Sequence, residues 1–67
     1  MKDTVTSAEM IEYLEHRIQT YRIGWANETG PFKLSARSSV SGVIYMLLAL
    51  GVINMDQYDR YYKQIEG

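Results

Sequence analysis

Cysteine is absent from this sequence, and histidine, proline, tryptophan and phenylalanine each occur once. Without cysteine there is no disulfide and no thiolate zinc site. The lone histidine, His16, leaves little for a structural metal, which takes three or four ligands. His16 follows Glu12 by one helical turn, a pairing that is short of a metal site and reads as solvated. The longest apolar run, interrupted only by Gly51, covers residues 43–53, short of the roughly 20 residues that cross a bilayer. Residues 1–10 are polar and acidic, with no signal-peptide pattern. Together with the missing cysteine this gives the expectation of a cytoplasmic protein without a membrane role.

Excess positive charge is missing too. Seven Lys and Arg stand against eight Asp and Glu, for a net charge of −1. That balance argues against a protein built for duplex DNA. No phosphate-binding glycine loop and no nucleophile elbow is present. With no cofactor motif either, the chain is expected not to be an enzyme, and no cofactor is implied.

What is present is helix. The 67 residues suit one domain, and a chain this short buries only about 60% of its unfolded surface. Small domains then lean on staples or on a partner chain. Thr6 and Glu9 form a T-x-x-E capping box, with Val5 and Met10 in staple positions. Ile11, Leu14, Ile18, Tyr21 and Trp25 follow at helical spacing on one face. This helix ends near Ile23 with Gly24 as its cap, or runs on to Ala26. The NETGP stretch at residues 27–31 reads as a loop, because Gly and Pro break both helix and strand. Phe32 and Leu34 are expected to anchor the next segment to the core.

The second helix is expected to start near Ser35 and to end at Leu50, with Gly51 as its left-handed cap and Val52 as the apolar contact. Ala36, Val40, Val43, Leu47 and Leu50 share its core face. Asn54 and Gln57 cap a third helix whose inner face is Tyr58, Tyr61, Tyr62 and Ile65. The reading is an all-α domain of three helices, about 7–24, 36–50 and 55–65, the last two a tight hairpin, with a loose start at residues 1–5.

The second helix has no charged residue from Val43 to Leu50, whereas a lone surface helix keeps one polar face. Its far side carries Ser38, Gly42, Tyr45 and Ala49, with Leu48 beside them. An uncovered apolar face marks an interface, so a homo-oligomer is expected, most simply a two-fold dimer joined through these residues. The competing reading wraps this helix at the centre of a monomer.

Positive charge concentrates in the middle of the chain: Arg17, Arg22, Lys33 and Arg37 against Glu28 alone. A helix start at Ser35 brings Lys33, Ser35, Arg37, Ser38 and Ser39 together. Arginine grips phosphate or carboxylate in a fork, and hydroxyls add donors. Arg17, Arg22 and Tyr45 are accessory candidates, and Trp25 offers a flat face. This set suits an anionic, nucleotide-like ligand. The plain alternative is a capped helix start with solvated cations. A helix-turn-helix DNA-binding protein is a further, less favoured alternative, because the third helix presents Asp56 and Asp59 beside Arg60 and Lys63 where a recognition helix presents polar and basic groups.

The segment LGVINMDQYDRYYKQI, residues 50–65, resembles the ends of small helical proteins encoded by phages and prophages. The resemblance covers about a quarter of the chain and carries no functional residue across. It implies a class of non-enzymatic proteins that inhibit or sequester host factors in the host cytoplasm. Some bind nucleotide signals within homo-oligomers, and others block a host protein directly.

Overall fold

The computed structural model describes residues 5–25, 28 and 30–66. They form three helices, α1 (Ser7–Trp25), α2 (Pro31–Ala49) and α3 (Met55–Glu66), with no strand among the described residues. The expected loose start falls outside them for residues 1–4, as does Ala26.

Both side-chain capping boxes close. In α1 the Glu9 N–H donates to Thr6 Oγ1 at 3.2 Å, and the Thr6 N–H donates to Glu9 Oε1 at 3.2 Å. In α3 the Gln57 N–H donates to Asn54 Oδ1 and the Asn54 N–H to Gln57 Oε1, both at 2.9 Å. Each box satisfies two N–H groups that a helix end leaves without intrahelical partners. At the other end of α2, Gly51 takes φ +76°. Its N–H reaches the Leu48 carbonyl at 3.0 Å, and the Val52 N–H reaches Leu47 at 2.9 Å. These two bonds make a complete Schellman cap.

Three expectations about the helix ends and faces are corrected. Gly24 does not cap α1. It lies inside the helix, and the left-handed glycines are Gly30 and Gly51. The second helix begins at Pro31 rather than near Ser35. Proline breaks a helix interior but suits the first turn, where its missing N–H costs nothing and its fixed φ is already helical. Gly30, at φ 99°, releases the chain into it. With the start moved, Phe32 and Leu34 fall on the outer side of the first turn. They are exposed, Phe32 by 77%, and anchor nothing.

The core comprises Leu14, Ile18 and Tyr21 of α1, Val40, Ile44 and Leu47 of α2, Ile53 of the connection, and Ile65 of α3. Ile44 is completely buried, while Leu50, expected inside, is exposed. The inward stripe of α2 therefore runs 40–44–47, and Val43 flanks it half-buried. Tyr58, Tyr61 and Tyr62, expected in the core of α3, are half-buried at its rim. Tyr58 and Tyr62 stack with ring centres 5.7 Å apart.

The radius of gyration is 12.6 Å, against about 11 Å for a compact chain of this length. No helix of the described residues is long and apolar enough to cross a membrane.

Candidate functional site

The last turn of α1, the first turn of α2 and the last turn of α3 meet at one end of the molecule. Among the described residues, neither Phe32 nor Leu34 lines the space between these ends. A cleft of about 540 Å³ remains, lined by Tyr21, Arg22, Trp25, Lys33, Lys63, Gln64 and Ile65. Tyr21 and Ile65 are core residues and make its floor rigid. Trp25, half-buried, extends the aromatic wall. Three cations converge here from three different helices, and among the described residues no carboxylate lines the space. Arg22 and Lys63 are exposed and Lys33 is half-buried, so the three side chains can reach an anion from solvent.

A second cleft of about 300 Å³ adjoins the first, lined by Tyr21, Gly30, Lys33, Leu34, Arg37 and Glu66. Tyr21 and Lys33 belong to both walls. Among the described residues, the two clefts together hold Arg22, Lys33, Arg37 and Lys63 against one carboxylate, that of Glu66.

The structure thus gathers Lys33 and Arg37 with one accessory candidate, Arg22. It does not gather the serines. Ser35, Ser38 and Ser39 lie past the first turn of α2, where the i→i−4 ladder takes up their N–H groups, and none of them lines either cleft. Ser39 instead accepts a hydrogen bond from Arg17 at 2.8 Å, which ties α2 to α1. Arg17 also donates to the Tyr13 hydroxyl at 3.0 Å and sits 5.9 Å from the centre of that ring. Its charge is engaged there, away from the clefts. Tyr45 is exposed on the distal half of α2.

Sequence reasoning missed Lys63. Its spacing to Asp59 gave it a solvent-facing pairing on α3, and only the packing of Ile65 turns that last turn toward the cleft. Tyr21 was read as core alone, yet it forms the ridge between the two spaces.

Two further polar recesses lie elsewhere. Glu9, Glu12, Tyr13 and His16 line one on α1. No group of three or more His, Cys, Asp or Glu among the described residues is placed to hold a metal. The other, of about 240 Å³, lies between α1 and α3 and includes Glu15, Arg60 and Tyr61. There the Tyr61 hydroxyl donates to Glu15 at 3.1 Å. Burial, this hydrogen bond and the Glu15 charge together raise the Tyr61 pKa above its ordinary value, with Arg60 opposing.

The chain matches no known protein family, and no characterised protein and no solved structure is similar to it.

Proposed function

We propose that this chain is a small non-enzymatic binding protein of the cytoplasm that sequesters an anionic, nucleotide-like ligand in the cleft between its three helix ends. The observation that carries the reading is the convergence of Arg22, Lys33 and Lys63 beside Trp25 and Tyr21, with no acidic residue in the wall among the described residues. Cations from three helices suit a phosphate group, which arginine and lysine bind as fork and point charge. The aromatic wall suits a flat ring, since stacking and apolar contact do not depend on which base is offered. A cleft of about 540 Å³ falls in the size range of small-molecule sites, about 300–1,000 Å³. Sequestration without turnover agrees with the role implied by the phage-like C-terminal segment.

The only tryptophan of the chain stands in the wall of this cleft, so its fluorescence reports occupancy directly. Titration with nucleoside monophosphates should change Trp25 emission. Saturation at about a hundred times Kd adds roughly 2.7 kcal/mol of stability, or a Tm rise of about 10 °C or more for a domain this small. The double substitution of Arg22 and Lys33 to alanine should abolish both signals. No response to any nucleotide defeats the reading.

A second reading rests on a different observation. Tyr45, Met46, Leu50 and Met55 are large apolar side chains left exposed around the distal end of α2. Such a patch suits a protein surface, either a second copy of this chain or a host protein inhibited by contact. Co-purification of a host protein through this patch, with nucleotides silent, favours it.

A further inference from the structure

We infer that the ligand of the paired clefts carries two phosphate-type groups, one on each side of Lys33, in addition to its flat ring. This rests on the anion-binding reading above and specifies the class of ligand. The larger cleft by itself offers a monophosphate Arg22, Lys33 and Lys63, with Trp25 and Tyr21 for the ring surface. Arg37 has no part in that space. It stands in the adjoining cleft, across the Tyr21–Lys33 ridge, with Gly30, Leu34 and Glu66.

Charge supports the same conclusion. Among the described residues, four cations and one carboxylate line the two spaces, a net of +3. A monophosphate, at −1 to −2, leaves positive charge uncompensated at the α2 end. A second phosphate reaching Arg37 removes the excess. Lys33 is placed to serve both groups, because its ammonium offers three donors on a flexible stem. The second cleft, about 300 Å³, is lined by no aromatic side chain besides the shared Tyr21. It suits a compact charged group better than a second ring. Nucleoside diphosphates fit this pattern of one ring and two adjacent anionic groups.

Calorimetric titration of the full chain with the mono- and diphosphates of adenosine, guanosine, cytidine and uridine tests this, with phosphate and pyrophosphate as ring-free controls. For at least one base the diphosphate should bind about tenfold more tightly than the monophosphate, the contribution of one charge-assisted contact. Pyrophosphate should exceed phosphate in the same direction. Arg37→Ala should remove that preference by weakening diphosphate binding far more than monophosphate binding. Arg22→Ala should weaken both series. Equal binding of mono- and diphosphates, or a preference that survives Arg37→Ala, overturns the inference while the anion-binding cleft stands. No binding by any probe overturns both. Arg37→Lys keeps the charge on a helix-compatible side chain. It should retain part of the preference, which separates a contact from a folding defect, and circular dichroism of each variant checks the fold.

Discussion

Ile44 shows how a single residue decides where the core of α2 lies. Val40, Val43, Leu47 and Leu50 make an equally good helical stripe on paper. The buried set is Val40, Ile44 and Leu47, because α2 meets α1 and α3 along that line and Leu50 stops outside it. Periodicity narrows the inward face to about a third of the helix, and only packing against neighbours selects within it. Ile44→Ala should therefore cost about 2–5 kcal/mol. The whole stability of a chain this size is about 3–10 kcal/mol. Urea unfolding followed by circular dichroism should find the variant largely unfolded or barely stable. Val43→Ala, at a half-exposed position, should cost less than half as much. Tyr61 makes a second prediction at this scale. Its neutral form is favoured in the folded state, so its folded pKa lies above the unfolded one. The stability this gives is fully present below the unfolded pKa, near 10, and is lost as pH rises through the folded value. Between pH 8 and pH 11 the native chain should lose more stability than Tyr61→Phe does, as read from paired urea melts. At pH 8 the Phe variant should be weaker by no more than about 1 kcal/mol, the worth of one exposed hydrogen bond.

Helix ends separate what the sequence shows plainly from what it conceals. The T-x-x-E and N-x-x-Q boxes and the Leu50–Gly51–Val52 cap were all legible, because each depends on residues within one turn. The start of α2 was not. Ser35 looks like a cap followed by a helix, and the Gly30–Pro31 pair looks like a break, yet the same pair is a compatible entry into a first turn. That displacement moved Phe32 and Leu34 outward, and the site was legible only in part. Lys33, Arg37 and Arg22 stood out as cations in an otherwise acidic chain. Lys63 did not, because its place depends on how α3 docks. The glycines give a test of opposite signs. Gly24 lies inside α1, with open space where a Cβ would go. Gly24→Ala should stabilise by about 0.5–1 kcal/mol. Gly51 also has open space, but at φ +76°, so Gly51→Ala should destabilise by about 1–2 kcal/mol through the backbone alone. Thermal melts of the two variants should move in opposite directions.

At the scale of the molecule the question is what covers α2. The described chain exposes 5037 Å², where a folded monomer of this mass averages about 4,400 Å². No charged residue lies between Arg37 and Asp56, and Tyr45, Met46 and Leu50 are each more than half exposed within that stretch. A charge-free face is what a two-fold contact needs, since every side chain near the axis meets its own copy. On this argument the chain should sediment as a dimer at tens of micromolar. Tyr45→Glu should yield a monomer with unchanged helical content, because the axis would bring two carboxylates together in a dry contact. Tyr45 is exposed, so the substitution does not disturb the core, and a loss of helicity would itself show that the single chain depends on its partner. Lys33 lies twelve residues before Tyr45, about 18 Å along the helix axis. The Trp25 titration should therefore be unchanged in this variant if one protomer holds the ligand alone. Loss of both the dimer and the titration would place a second protomer at the cleft. A wild-type chain that sediments as a monomer at these concentrations removes the self-association reading and leaves the exposed face to a different protein.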